Sequence, residues 1–117
     1  MAEQLVLIVD DDPTVAAQLA ADFVARGFNV ETAANGEEAL RVVDRVRPVL
    51  VLLDLEMPVL DGRGFARELR ARGMQLPLLL LSDDQAARRI ATEIGAAGYL
   101  SKPSTGPSMS GSGAAAA

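Results

Sequence analysis

The sequence predicts an α/β domain, a doubly wound five-stranded parallel sheet flanked by helices, and three observations carry that prediction. Short unbroken apolar runs recur along the chain, as at residues 5–9, 49–53 and 78–81. Runs of this kind mark strands buried on both faces. Between them lie stretches whose apolar residues recur at helical spacing. The connections are short, and strict alternation of strand and helix gives parallel strands joined by crossover helices.

The first strand is Leu5-Val6-Leu7-Ile8-Val9. Asp12-Pro13 then supplies an N-cap with proline at the first helical position, and Gly27 supplies a stop. Between them Val15, Leu19 and Phe23 recur at i, i+4, flanked by Ala16 and Ala20. A weaker strand spans residues 28–33. Asn35-Gly36-Glu37-Glu38 is an N-cap with a capping-box glutamate, opening a helix that runs to about Val46 and stops before Pro48. Val49–Leu53 is the third strand and leads into Asp54. A loop with Met57-Pro58 and Asp61-Gly62 precedes a short helix, which places Phe65 and Leu69 on one face and ends at Gly73. Leu76–Leu81 is the fourth strand and ends at Ser82. Ala87, Ile90, Ala91 and Ile94 form the stripe of a fourth helix, and Gly98–Ser101 is a short fifth strand closed by Lys102-Pro103. Residues 104–117 shift to Ser, Gly, Thr and Ala, the composition of a linker or an appended remnant, so the domain is expected to occupy residues 1–103.

Composition excludes much. At 117 residues the chain has room for one core, and with three Phe, one Tyr and no Trp that core rests on Leu, Val, Ile and Ala. A net charge of −5 argues against a nucleic-acid surface. No apolar run reaches membrane-spanning length, and the N-terminus has neither a basic segment nor a cleavage site, so a cytoplasmic location is expected. Cysteine and histidine are both absent. Thiolate and imidazole chemistry, and the metal sites built on them, are therefore out. Carboxylates, hydroxyls, Lys, Arg and the backbone must do the chemistry.

Open α/β sheets bind ligands beyond the carboxyl ends of their strands. In this chain those ends deliver Asp10, Asp11 and Asp12, then Asp54, Ser82 and Lys102. At an effective dielectric of ~20, two carboxylates ~4 Å apart repel by about 4 kcal/mol. A hard divalent cation relieves this, and with only oxygen ligands on offer Mg2+ is the natural candidate. The set fits phosphoryl transfer, with Asp54 as nucleophile, Lys102 offsetting phosphoryl charge and Ser82 bonding one oxygen. Asp12 taken alone is explained better as the helix N-cap than as a metal ligand.

Three runs, Val9-Asp10-Asp11-Asp12-Pro13, Leu53-Asp54-Leu55-Glu56-Met57-Pro58-Val59-Leu60-Asp61-Gly62 and Gly98-Tyr99-Leu100-Ser101-Lys102-Pro103, resemble the receiver domains of two-component response regulators. The middle run is the most specific, and the likeness covers roughly residues 4–103 in order. The resemblance implies the flavodoxin-like strand order 2-1-3-4-5, for which a chemotaxis receiver is a standard example. It implies a phosphoacceptor signalling domain, catalysing only its own phosphorylation and dephosphorylation. The donor would be a phosphohistidine on a histidine kinase or phosphotransfer protein, and the downstream partner would be a protein target or output domain.

Residue by residue, Asp10 and Asp11 match the acidic pair that holds Mg2+, and Asp54 matches the phosphorylated aspartate. Glu56 stands where a backbone carbonyl completes the metal shell. Ser82 matches the switch hydroxyl, Lys102 the active-site lysine and Tyr99 the rotating aromatic. The Lys102–Pro103 bond matches one that is cis in the family.

The chain departs from that pattern in three places. The family prefers a small residue after the switch hydroxyl, and here Asp83 stands there. The stretch from Ser82 to Lys102 is about two residues shorter than usual, which points to a shortened loop after the fourth strand. The fifth helix expected after Lys-Pro is missing, and Met109 is the only large apolar residue beyond Pro103. One face of the sheet is then left to a single helix, to be covered by a second copy (a homodimer), a partner or a longer native chain. Asp83 and the missing helix favour a non-phosphorylated receiver-like interaction module as the runner-up. A haloacid-dehalogenase-like phosphatase needs an aspartate two residues after its nucleophile, and this chain has Glu56. A flavin binder would want a hydroxyl-rich loop after the first strand, where three aspartates stand.

Overall fold

A computed structural model describes residues 4–103. Residues 104–117, and with them the expected tail and any fifth helix, lie outside the described residues. The described chain runs β1 (Leu5–Val9), α1 (Pro13–Ala25), β2 (Asn29–Ala33), α2 (Gly36–Arg45), β3 (Leu50–Asp54), α3 (Gly62–Ala71), β4 (Leu78–Leu81), α4 (Ala87–Ile94) and β5 (Gly98–Leu100). All strand pairs are parallel, in the order β2-β1-β3-β4-β5. The expected fold class and strand order are both found.

Each helix begins as the local chemistry requires. The Asp12 carboxylate accepts the N–H groups of Thr14 and Val15 at 2.9 and 3.4 Å, capping α1 ahead of Pro13. Asn35 caps α2 through Glu38 N–H, and the Glu38 carboxylate reaches back to Ala34 N–H. Asp61 caps α3 through Gly64 N–H at 2.8 Å. Several strand boundaries shift by a residue or two from expectation, and two of the shifts have a visible cause or consequence. β4 starts at Leu78 rather than Leu76, because Pro77 has no N–H for the ladder, although its carbonyl accepts from Val51. β3 extends one residue further, to take in Asp54 itself, which pairs with Leu81.

The sheet buries both faces, which is why its central strands are apolar without alternation. On one face Val15, Ala16 and Leu19 of α1 cluster with Val6, Ile8, Leu52 and Leu81. On the other, Leu40, Val43, Phe65, Leu69, Ile90 and Ile94 from α2, α3 and α4 cluster with Leu7, Val9, Val51, Leu53 and Leu80. Full burial of such a side chain contributes about 1.5–3 kcal/mol. β1 and β3, almost wholly buried, therefore form the most stable part of the scaffold, and the site is hung from their ends. On the α1 face Leu50, Leu79 and Leu100 are only half-buried, along the strip where a fifth helix was expected to be lacking.

Candidate functional site

Asp10 directly follows β1, and its N–H donates to Ala33 carbonyl on β2 at 3.0 Å. That bond extends the ladder by one residue and fixes the carboxylate just beyond it. Oδ1 of Asp10 accepts Asp12 N–H at 2.9 Å, a turn that leads into α1. Oδ2 of Asp10 is buried without a hydrogen bond. Asp54 ends β3 beside it, and its Oδ1 accepts Leu55 N–H and the Lys102 ammonium, both at 2.9 Å. Asp10 and Asp54 are the two buried charged side chains of the described domain.

Lys102 follows β5 and reaches both acids. Its Nζ stands 3.5 Å from Asp10 Oδ2, an ion-pair contact too long for a good hydrogen bond, and 2.9 Å from Asp54 Oδ1. The Lys102–Pro103 bond, expected cis, is not: the described residues contain no cis peptide. The trans form is the lower-energy one, and the flexible lysine side chain reaches Asp54 from it without help. Burial lowers the Lys102 pKa, but the hydrogen bond and charge of Asp54, backed by Asp10, raise it further, so the group lies above the ordinary lysine value. Asp10 is displaced upward as well. Burial is the main cause and the Asp54 charge adds to it, while the bond from Asp12 N–H and the proximity of Lys102 oppose it.

One carboxylate oxygen from each of Asp10, Asp11 and Asp54 lies within 4.8 Å of the others. Three hard oxygen donors, one on a residue with an orphaned buried oxygen, fit a small divalent cation of the Mg2+ type. Asp12, spent on capping α1, takes the structural role assigned to it. The crevice beside the cluster, about 500 Å³, is lined by Asp11, Asp54, Glu56, Ser82, Asp83 and Lys102 among others, and Lys102 is the one cationic side chain among the described residues that line it. Glu56 is exposed at its rim. Ser82, directly after β4, is half-buried; its N–H donates to Leu100 carbonyl and its Oγ accepts Asp84 N–H at 3.0 Å. Tyr99 lies outside this lining, 41 % exposed on the edge strand β5. Sequence reasoning therefore placed six of its seven site residues, Asp10, Asp11, Asp54, Glu56, Ser82 and Lys102, around one crevice.

Two contributors were not singled out. Gly62 packs beneath the β3 end, where an added Cβ would lie 2.4 Å from Asp54 carbonyl oxygen, and its N–H donates to Leu55 carbonyl. The Asp61-Gly62 pair at a helix start was the available signal. Asp83, read only as a departure from the family, accepts the main-chain N–H of Lys102 at 3.1 Å.

The response regulator receiver domain family matches residues 6–110. Response regulator MprA of Mycolicibacterium vanbaalenii is 42% identical over 100 residues, covering 84% of this chain and 43% of the relative. Transcriptional regulatory protein PrrA of Mycobacterium leprae is 44% identical over 103 residues, with 84% and 43% covered. The chain thus spans less than half the length of these relatives. Among solved structures, the receiver domain of Francisella response regulator 1452 aligns with a TM-score of 0.78 at 29% identity, covering 86% of this chain and 85% of that one. Thermotoga maritima TrrA, solved in complex with Mg(2+)-BeF, aligns at 0.76 and 31%, covering 87% and 89%. Sequence, strand order and the clustered acids agree, and the chain belongs to the response regulator receiver domain family, a signalling domain of phosphorylation-dependent two-component systems.

Proposed function

We propose that Asp54 is the phosphoacceptor, taking a phosphoryl group from a phosphohistidine on a histidine kinase or phosphotransfer protein. The observation that carries this reading is the 2.9 Å contact between Lys102 Nζ and Asp54 Oδ1, made beside a buried acid pair. Both protein contacts of the Asp54 carboxylate fall on Oδ1, which leaves Oδ2 as the oxygen open to phosphorus. The new bond joins Oδ2 to phosphorus as the P–N bond to the donor imidazole breaks. The imidazole takes up a proton and leaves neutral. Lys102 neutralises charge on a phosphoryl oxygen, and Ser82 Oγ–H, once turned away from Asp84 N–H, donates to another.

Asp10, Asp11 and Asp54, with the Glu56 carbonyl, would hold Mg2+, which when bound supplies positive charge toward the transferring group. The phosphorylated state then changes how the domain meets a protein target or an output domain. The acidic charge of −5 favours protein over nucleic acid as the direct partner of this domain. None of the described helices is long and apolar enough to cross a membrane, and we place the domain in the cytoplasm with its kinase partner.

Intact-mass measurement after incubation with Mg2+ and acetyl phosphate tests the reading. Wild type should gain one phosphoryl group, and Asp54→Asn or omission of Mg2+ should abolish the gain. Equal gain by wild type and Asp54→Asn, or no gain by either, would instead favour a receiver-like module that works without phosphorylation.

A further inference from the structure

The ladder between β4 and β5 ends where the chemistry begins. Ser82 N–H donates to Leu100 carbonyl at 2.9 Å. In a regular parallel ladder the next bond runs from the N–H two residues beyond that acceptor, here Lys102, back to the carbonyl of Ser82. Instead Lys102 N–H donates to Oδ1 of Asp83, at 3.1 Å. The main chain has by then left the strand. Asp84 N–H turns back onto Ser82 Oγ, and Asp84 Oδ1 accepts Ala86 N–H at 2.7 Å, winding residues 82–86 toward α4. The Asp83 side chain stands in for the main-chain acceptor that this early turn takes out of the ladder. Among the described residues it is the one hydrogen bond given to the main chain of residues 101–103.

We propose that Asp83 is a positioning residue for Lys102: its carboxylate holds the backbone after β5 in register with β4, so that the ammonium meets Asp54. This rests on the reading of Asp54 as phosphoacceptor. The same carboxylate has a second effect of opposite sign. It is exposed at the crevice, and its charge adds to that of Asp11, Asp12, Glu56 and Asp84 against an incoming anionic phosphodonor. Substitution separates the two effects. Asparagine keeps the Oδ1 acceptor and drops the charge, whereas alanine drops both.

The full chain and its Asp83→Asn and Asp83→Ala variants are compared for the rate of phosphorylation by acetyl phosphate in Mg2+, and for hydrogen exchange at the Lys102 amide by NMR. The asparagine variant should match or exceed wild type, and should outpace the alanine variant by about threefold or more, the range a single hydrogen bond supports. That gap between the variants should persist at high salt, where the charge effect is screened. The Lys102 amide should be protected in wild type and Asp83→Asn and lose protection in Asp83→Ala, with thermal melting verifying that each variant is folded. Equal rates for the two variants, or equal Lys102 protection in all three proteins, would overturn the proposal. A wild-type chain that takes up no phosphoryl group overturns the phosphoacceptor reading instead, and the amide pattern still decides whether Asp83 holds Lys102.

Discussion

Asp10 Oδ2 is buried with no hydrogen bond, and the nearest charge to answer it is the Lys102 ammonium at 3.5 Å. The contact is too long to satisfy the oxygen, so without a metal ion the fold opposes the charged form of Asp10. Its pKa is raised above 3.8, first by burial and then by Asp54. For a carboxylate with a raised folded pKa, the penalty is absent below the unfolded value and complete above the folded one.

Asp10→Asn should therefore stabilise the metal-free protein at pH 7, with a gain that shrinks as pH falls through the raised folded value and is lost below 3.8, where the wild-type carboxyl is protonated in both states. With Mg2+ the order should turn. Wild type gains RT ln(1 + [L]/Kd), about 2.7 kcal/mol at 100 Kd, and the variant gains less. Urea titrations in chelator and in Mg2+ at two pH values measure this. A variant that is less stable than wild type at pH 7 in chelator contradicts it.

Gly62 should tolerate no side chain. A Cβ there would press to 2.4 Å from Asp54 carbonyl oxygen and 2.9 Å from Leu55 Cα, both main-chain atoms that cannot swing aside. Gly62→Ala is expected to cost about 1–3 kcal/mol, as overpacking does, and to slow phosphorylation by shifting the Asp54 loop. Denaturant midpoints and initial rates report the two effects separately, and unchanged values for both would remove Gly62 from the support of the site.

Val59 is a β-branched residue at φ +69, 74 % exposed, in a three-residue turn closed by Leu60 N–H on Pro58 carbonyl at 2.7 Å. L-residues in this region cost roughly 1–2 kcal/mol. Val59→Gly should recover about 1 kcal/mol, since the burial lost is small and glycine's greater unfolded-state entropy offsets part of the gain. A destabilised glycine variant would mean that the valine side chain makes a stabilising contact in solution.

Phosphorylation should move residues 82–86 and Tyr99 together. Ser82 must break its bond with Asp84 N–H to turn toward the phosphoryl group, and Tyr99, at present 41 % exposed, can then take the vacated space. Backbone NMR shifts on adding beryllofluoride and Mg2+ should include α4 and β5. Shifts restricted to the loop around Asp54 would argue against a coupled switch.

The half-buried strip of Leu50, Leu79 and Leu100 gives a prediction about assembly. The 117-residue chain should self-associate or bind an apolar dye, because among the described residues α1 is the one helix packed on that face and leaves the strip half-buried. Light scattering and dye fluorescence decide it. A monomeric, dye-negative chain would mean that the face is covered from within.

The sequence made the scaffold readable because the buried strands are apolar on both sides and each helix start carries its own cap, as at Asp12, Asn35 and Asp61. The site was readable because its side chains follow those strands directly. What escaped were features set by main-chain geometry. Nothing in the composition of residues 82–86 announces that Asp83 completes a ladder, and Val59 gives no hint of positive φ where glycine or asparagine would have done so. The Lys102–Pro103 bond was assigned by likeness, and the reach of the lysine makes that assignment unnecessary here.

β5 has three residues, one neighbouring strand and no fully buried side chain. Such an edge is the part of a sheet that opens first, at a free-energy cost well below that of global unfolding. Its departure would carry Lys102 away from Asp54 while β1, β3 and the core stayed in place. Competence for phosphorylation then has its own melting curve, lying below that of the domain. A modestly warmed or mutated protein could keep its helical signal in full and already be chemically silent.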